Sequence, residues 1–255
     1  MALVYPWFRA ARTLVFPEAC LACGGAIETE PMCSTCSEEF QKCLGPQCVR
    51  CAVPWNSVQS GFAENTPCPD CRKRPQKFDA AIAIGAYDGP LRMLCLQLKS
   101  RRGGWLAPRM VDLLLSQKSG EIEGWIGDHC QRPSPLLMVP VPLHWGRRWG
   151  RGFNQADSLA RVLGQRLGIS VCDALRRTKV TPRLHRLSKS ERKSRLRNAI
   201  GTRWWFRSRL KGRDVILVDD ILTTGATCSA AAQALKRAGA RHVYVLVLAR
   251  ARDPR

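Results

Sequence analysis

Residues 215–227 read Val-Ile-Leu-Val-Asp-Asp-Ile-Leu-Thr-Thr-Gly-Ala-Thr, and this stretch decides the fold. The four apolar residues at its start include β-branched side chains and predict a buried strand. An alanine-rich run follows from residue 226 to 238 and stops before Gly239, as expected of a helix that ends at a glycine. The segment therefore predicts a strand, a short turn and a helix, which is the repeating unit of an α/β sheet.

The remainder of the C-terminal part repeats this alternation. Apolar residues at helical spacing predict a helix that begins near Pro90 and another over residues 156–167. Further apolar runs predict strands at residues 80–86, 136–141 and 243–248. Strands that are apolar throughout and separated by helices are typical of parallel sheets covered on both faces. We therefore predict an open, mostly parallel α/β sheet.

Ligands of such sheets bind beyond the carboxyl ends of the strands, which is where Asp219 and Asp220 fall. Gly225 permits a tight turn and the close approach of an anion, and the free N–H groups of the next helix attract negative charge. The paired carboxylates would repel a phosphate but suit sugar hydroxyls or Mg²⁺. A phosphate beside a diol describes a ribose 5-phosphate. The predicted ribose-phosphate site comprises Asp219, Asp220, Thr223, Thr224, Gly225, Ala226 and Thr227.

Other nucleotide-binding fingerprints are absent from the sequence. It contains neither G-x-x-x-x-G-K-[ST] nor G-x-G-x-x-G, so a Walker loop and a dinucleotide fold both lack their signatures. The alternative for residues 219–227 is a strand–turn–helix in which the acids and threonines only cap the helix.

The cysteines concentrate at the other end of the chain, where nine of the 13 lie in the first 71 residues. Each C-x₂-C pair supplies two thiolates, and two pairs make a tetrahedral Cys₄ site, so four pairs predict two structural Zn²⁺ ions. The ligands would be Cys20, Cys23, Cys33, Cys36, Cys48, Cys51, Cys68 and Cys71, paired either in succession or in an interleaved cross-brace. Cys43 could replace one of these ligands, but we interpret it as a spare thiol.

This Cys-rich region is too small to build a core of its own and would depend on metal. We therefore predict two domains. Residues 1–77 form an N-terminal helix and a double zinc ribbon, and residues 78–255 form the α/β domain.

Charge is distributed unevenly. The net charge is +21, and residues 78–255 hold 33 Lys/Arg against 13 Asp/Glu, which favours polyanionic partners or an anionic membrane surface. Residues 176–213 hold 15 Lys/Arg against one acid, Glu191, and include Trp204 and Trp205. The segment is interpreted either as a single-stranded nucleic-acid surface or as a solvated charged face. The nucleic-acid candidates are Arg183, Arg186, Lys189, Arg192, Lys193, Arg195 and Arg197.

No apolar stretch approaches the roughly 20 residues of a membrane span. Pro6, Arg9 and Arg12 interrupt the apolar N-terminus, so a signal peptide is not expected, and this stretch predicts a short helix docked on the body. Metal-binding rather than disulfide-bonded cysteines imply a reducing compartment, and we expect a cytoplasmic protein.

The string at 215–227 resembles the ribose-phosphate signature of type I phosphoribosyltransferases, and the chain as a whole is similar to the ComF/GntX family. Three further features carry this resemblance: the Cys-rich N-terminus, Val-Pro-Val-Pro at 139–142 followed by Arg-Gly-Phe-Asn-Gln at 151–155, and a basic segment that ends in Arg-Leu-Arg-Asn at 195–198. The similarity spans about residues 20 to 250.

The resemblance implies a type I phosphoribosyltransferase sheet that binds phosphoribosyl pyrophosphate with Mg²⁺. Asp219 and Asp220 would hold the ribose hydroxyls, residues 223–227 the 5-phosphate, and residues 178–197 would form a hood over the site. Arg147, Arg148 and Arg151 would face the pyrophosphate.

The implied reaction is a displacement at the anomeric carbon by an amine, a base or a nucleic-acid group. No general base is identified; His144, His185 and His242 qualify by residue type alone. The family also implies a link to DNA uptake or DNA utilisation, including an uptake machinery at the inner membrane. The alternative is a non-catalytic, single-stranded nucleic-acid-binding accessory protein that retains the ribose-phosphate pocket.

Overall fold

The computed structural model describes residues 19–27, 31–54, 66–73, 75–100, 103–130, 136–143, 153–178 and 200–251. Within them, five strands form one sheet in the order β1-β7-β6-β2-β3, and every neighbouring pair is parallel. These strands are β1 (Ala80–Ala86), β2 (Leu137–Pro140), β3 (Ser170–Val171), β6 (Val215–Leu222) and β7 (Val243–Arg250). The short strands β4 (Leu175–Arg177) and β5 (Ile200–Thr202) form a separate antiparallel pair. The predicted open, mostly parallel α/β sheet is confirmed.

The sequence predicts three of the helices, Gly89–Leu98, Gln155–Leu167 and Ala226–Arg237, but it does not predict the helix Ala107–Cys130, which is the longest among the described residues. Asp88 caps one of them by accepting a hydrogen bond from the Gly89 N–H, and Pro90 lies in its first turn. Another ends at Gly168, whose φ of 66° is the left-handed conformation that glycine favours. The helices are α1 (Ser34–Cys43), α2 (Pro69–Lys73), α3 (Gly89–Leu98), α4 (Ala107–Cys130), α5 (Gln155–Leu167), α6 (Arg207–Leu210) and α7 (Ala226–Arg237), with 3₁₀ turns at Gly103–Leu106 and Trp204–Phe206.

Two apolar clusters cover the two faces of the sheet. Along β6, Ile216 and Val218 belong to the cluster that contains the buried residues of α3, α4 and α5, whereas Val215 and Leu217 belong to the cluster that contains those of α7. All four side chains are buried, which explains why the strand is apolar without interruption.

The ends of β6 and β7 differ from the prediction. The apolar run predicts a strand that ends at residue 218, but β6 continues to Leu222 and keeps its pairing with β7, with Asp219 opposite Val247. The strand can continue through polar residues at the carboxyl end of the sheet, because the hydrogen bonds between strands use only main-chain groups. Asp219 and Asp220 therefore lie inside the last part of the strand rather than after it.

The Cys-rich region covers the free edge of β1. The Gln47 side-chain amide donates to the carbonyl oxygens of Ala83 and Ile84 at 3.1 and 3.3 Å, where a further strand would otherwise pair. Contact is close at Gly85, where an added Cβ would lie 2.2 Å from the Cys43 carbonyl oxygen. The predicted division at residues 77 and 78 falls between α2 and β1, and it stays a prediction.

The predicted helix near residues 7–15 lies outside the described residues. Among the described residues, no helix combines the length and the hydrophobicity needed to span a bilayer.

Candidate functional site

The predicted ribose-phosphate residues lie on one continuous stretch of chain at the carboxyl end of the sheet, from the last part of β6 through a turn into the start of α7. Asp219 and Asp220 are half-buried in the last part of β6, and the chain then turns at Gly225 into α7. Gly225 has a φ of 76° and caps the helix, so its backbone uses the left-handed conformation. Thr223 and Thr224 are exposed on the same turn. The helix N-terminus thus opens to solvent beside the two carboxylates, as an anion site requires.

The two carboxylates are held in different ways. Asp219 Oδ1 accepts a hydrogen bond from the Asp220 N–H at 2.9 Å, and Asp219 Oδ2 accepts from the Cys228 thiol at 3.8 Å. Asp220 Oδ1 accepts from the Ile221 N–H at 2.7 Å, while Asp220 Oδ2 lies 3.3 Å from Lys99 Nζ. Asp220 is therefore the more exposed and cation-paired member, and Asp219 the more enclosed one.

This difference sets their protonation. Burial, reinforced by the neighbouring Asp220 carboxylate, raises the pKa of Asp219 to about 8, against the opposing effects of the Asp220 N–H and Lys99. Asp219 consequently holds a proton through much of the neutral range when nothing is bound. A cation between the two acids would favour the charged form and displace that proton.

Lys99 is a site residue that sequence reasoning missed. It follows directly after α3, so it reaches Asp220 from a different strand–helix unit of the sheet. The signal was the basic, glycine-containing run Lys-Ser-Arg-Arg-Gly-Gly at 99–104, at the end of a predicted helix in the same fold. Only the three-dimensional structure shows that Lys99 lies beside β6.

His242, one of the three histidines that qualify as a general base by residue type, lies away from this site. It precedes β7, at the amino end of the sheet, where its Nδ1 and main-chain N–H contact Asp214 Oδ1 at 2.9 and 3.1 Å. Asp214 is five residues from Asp219 along β6, about 16 Å at roughly 3.3 Å per residue. The buried Asp214 carboxylate therefore connects the start of β6 with the start of β7.

The remaining predicted residues lie outside the described part of the chain. They are the pyrophosphate candidates Arg147, Arg148 and Arg151, the nucleic-acid candidates Arg183, Arg186, Lys189, Arg192, Lys193, Arg195 and Arg197, and the histidines His144 and His185.

The eight predicted zinc ligands assemble into two groups of four, in the successive pairing. Within each group the sulfur atoms lie within 4.8 Å of one another, and the Cys23–Cys33 and Cys51–Cys68 Sγ distances are both 3.8 Å. A tetrahedral zinc with Zn–S bonds of about 2.3 Å places its sulfurs about 3.8 Å apart. The groups are Cys20, Cys23, Cys33 and Cys36, and Cys48, Cys51, Cys68 and Cys71.

The second group is the more enclosed of the two. Its four cysteines are all buried, and Cys48 Sγ also accepts a hydrogen bond from the Cys68 N–H at 3.1 Å. Hydrogen bonds from the Cys51 and Cys71 thiols lower the pKa of Cys48 and favour a thiolate there. Four thiol ligands leave no open coordination position, which is the arrangement of a structural rather than a catalytic zinc. Cys43 stands apart and donates to the Asp88 carbonyl oxygen at 3.3 Å.

Comparison with known families agrees with both halves of the molecule. Residues 151–255 match the phosphoribosyl transferase domain family, and residues 11–72 match the double zinc ribbon domain family. The ribbon family and the two Cys₄ groups together support structural zinc. The chain is therefore a phosphoribosyltransferase-fold protein with a double zinc ribbon.

Full-length relatives narrow this class. DNA utilization protein YhgH of Salmonella typhimurium is 31% identical over 93% of this chain and 99% of its own length. The protein of the same name from Escherichia coli K12 is 34% identical over 86% of this chain and 90% of its own length. Competence protein F of Haemophilus influenzae is 30% identical over 91% of this chain and 96% of its own length. The chain belongs to this ComF/GntX family of DNA-utilisation and competence proteins.

Proposed function

We propose that the chain binds phosphoribosyl pyrophosphate with Mg²⁺ at the carboxyl end of β6 and transfers the phosphoribosyl group to an acceptor. The observation that carries the proposal is the carboxylate pair, Asp219 and Asp220, placed directly before a glycine turn that opens the N-terminus of α7. A ribose 5-phosphate group would place its diol at the carboxylates and its phosphate at the helix N-terminus, so one ligand would use both parts of the site.

The phosphate end of the ligand would occupy the turn. The N–H groups at the start of α7 point out of the helix, and the hydroxyls of Thr223 and Thr224 are exposed beside them. Ala226 and Thr227 complete the first turn of the helix, where the helix dipole favours a doubly charged phosphate.

The ribose and the metal ion would occupy the carboxylates. Oxygen ligands from one or two acids, completed by substrate phosphates, are how Mg²⁺ is commonly bound. Lys99, beside Asp220, adds positive charge where a departing pyrophosphate develops negative charge. Arg147, Arg148 and Arg151 belong to the same proposal as further pyrophosphate contacts.

The reaction would be a displacement at the anomeric carbon through an oxocarbenium-like state. This chemistry depends on positioning and on charge stabilisation, and the proposal assigns these roles to the Asp219 and Asp220 carboxylates, the turn that follows them, and Lys99. The acceptor class stays open between an amine, a base and a nucleic-acid group. The relatives named for competence and DNA utilisation support a role for this chain in handling DNA.

The double variant Asp219→Asn with Asp220→Asn tests the site. We expect affinity for phosphoribosyl pyrophosphate in the presence of Mg²⁺ to fall at least about tenfold, because charged hydrogen bonds and metal ligands are both lost. Asp112→Asn with Asp157→Asn is the matched control, since it makes the same two substitutions at acids that form surface ion pairs with Arg166 and Arg161. Equal affinity in both variants would show that the carboxylates do not bind the ligand.

A second function, binding of single-stranded nucleic acid, is favoured by a different surface. Trp204 and Trp205 expose 74% and 50% of their area, far above what a protein core leaves to such side chains. The guanidinium of Arg203 lies 5.7 Å from the Trp205 ring centre, and that of Arg209 lies 5.8 Å from the Phe206 ring centre. Exposed aromatic rings among arginines suit base stacking next to backbone phosphates.

Titration with a single-stranded oligonucleotide at several salt concentrations tests this second function. Five or more phosphate contacts would give a log–log slope steeper than about −3, from roughly −0.7 for each phosphate on single strands. Trp204→Ala with Trp205→Ala should weaken binding and keep the salt slope, because stacking is lost and ionic contacts stay. Absence of oligonucleotide binding even at low salt would reject this second function, and only the phosphoribosyl proposal would stand.

A further inference from the structure

Arg250, the last residue of β7, joins the second cysteine group to the start of the phosphate turn. The side chain is 7% exposed. Its Nε donates to the carbonyl oxygen of Cys51 at 2.9 Å, and its Nη1 donates to that of Leu222 at 3.1 Å and also to that of Thr223. One guanidinium thus contacts a cysteine of the second metal group and the two residues that lead into the turn.

Gln76 makes a second connection between the same two regions. It follows Cys71, the last ligand of the second group, by five residues. Its Oε1 accepts a hydrogen bond from Ser229 Oγ, in the first turn of α7, at 2.7 Å. A Cβ added at Gly225 would lie 2.7 Å from the same oxygen, so the Gln76 amide packs directly against the glycine of the turn.

We propose that Arg250 and Gln76 are positioning residues through which the second cysteine group holds the turn at 223–227 in its binding conformation, so that the metal site and the ligand site are energetically coupled. Neither residue is expected to touch the ligand. The identity of the ligand rests on the proposed function, whereas the mechanical connection itself does not.

The connection is specific to the second cysteine group. The first group also contacts the α/β domain through a glutamine, since Gln97 Nε2 donates to the carbonyl oxygen of Ala22, between Cys20 and Cys23, at 2.8 Å. That contact ends on α3 and not on the turn. Gln97 and Gln76 are both half-buried and both join a metal knuckle region to the body, so Gln97→Ala is a matched control for Gln76→Ala.

Hydrogen exchange on the full-length, zinc-loaded protein tests the positioning without any ligand. We expect the amides of residues 222–229 to exchange roughly three- to tenfold faster in Gln76→Ala, from the loss of one hydrogen bond. Gln76→Glu, which keeps the accepting oxygen, should restore slow exchange, and Gln97→Ala should leave it unchanged. Equal exchange of these amides in wild type, Gln76→Ala and Gln97→Ala would overturn the proposal.

Adding ribose 5-phosphate tests the coupling, which must be reciprocal if it exists. Saturating ligand should slow exchange of the amides at residues 48–53 in wild type and in Gln97→Ala, and should not do so in Gln76→Ala or Arg250→Lys. Protection of 48–53 that is equal in all four proteins would contradict the coupling. If ribose 5-phosphate fails to bind the wild type, the proposed function is wrong, and the ligand-free comparison still decides the role of Gln76.

Discussion

At the scale of single residues, Asp219 and Asp220 show how position on a strand separates two identical side chains. Asp220 pairs with Lys99 at 3.3 Å, whereas Asp219 faces the Cys228 thiol and the protein interior. Burial and the adjacent charge raise the pKa of Asp219 to about 8, above the ordinary value of 3.8. A carboxyl with a raised pKa favours the folded state at low pH, and this contribution is lost as the pH rises through about 8.

Asp219→Asn should therefore stabilise the ligand-free protein at alkaline pH. The amide keeps an oxygen for the Asp220 N–H but cannot ionise, so the variant avoids the cost of a buried charge. We expect a gain of about 1–3 kcal/mol at pH 8.5, below the full linkage value because solvent screens a half-buried group, and a gap that closes toward pH 4. Thermal unfolding across this range, with the exposed Asp173→Asn as control, is the measurement. A gap that does not change with pH would show that Asp219 titrates normally.

At the scale of elements, the turn between β6 and α7 depends on one glycine. Gly225 has a φ of 76°, and an added Cβ would lie 2.7 Å from Gln76 Oε1. Gly212 has a similar φ of 72°, but an added Cβ there meets nothing within 4 Å. Alanine substitutions at these two positions distinguish two effects. Both force a side chain into a left-handed backbone conformation, but only the substitution at Gly225 also disturbs the turn.

Gly225→Ala should destabilise the protein and also weaken ribose 5-phosphate binding, because the turn must shift away from Gln76. Gly212→Ala should destabilise by about 1–2 kcal/mol through its backbone alone and leave binding unchanged. Urea unfolding and ligand titration of both variants provide the measurement. Equal affinity in Gly225→Ala and wild type would show that the turn does not contact the phosphate.

Elements were also what the sequence predicted best. The apolar run at 80–86 coincides with β1, and the helix that stops before Gly168 was predicted from spacing alone. The carboxyl ends of β6 and β7 were predicted too short, because charged residues such as Asp219 and Arg250 interrupt the apolar pattern, whereas the ladder hydrogen bonds use only main-chain groups and continue past them. The contact between Lys99 and Asp220 joins residues far apart in the chain, which no local pattern contains.

At the scale of the whole molecule, the ribbon and the sheet are packed together. Gln47 occupies the free edge of β1, and Phe40 of α1 belongs to the same apolar cluster as α3, α4 and α5. The pairing of the cysteines was open in the sequence, because spacing alone fits two arrangements, and the folded chain brings successive pairs together. Loss of metal from the ribbon should therefore also destabilise the α/β domain.

Cys33→Ala should lower the zinc content from two ions per chain to about one, since it removes a ligand from the first group only. It should also expose the ribbon to protease. Cys43→Ala is the control, because Cys43 is buried between α1 and the Asp88 carbonyl and belongs to neither group. Elemental analysis of protein purified without chelator is the measurement. Zinc near zero in the wild type, or an iron–sulfur absorbance, would reject the assignment.

Calorimetric titration of the protein with phosphoribosyl pyrophosphate, with and without Mg²⁺, measures whether the carboxylates and the turn bind this ligand. We expect saturable binding at one site per chain, tighter with Mg²⁺ than without it. Ribose 5-phosphate should bind more weakly and inorganic phosphate more weakly still, because each lacks part of what the carboxylates, the turn and Lys99 recognise. Absence of binding under both conditions, or affinity equal to that of inorganic phosphate, would show that this site does not recognise phosphoribosyl pyrophosphate.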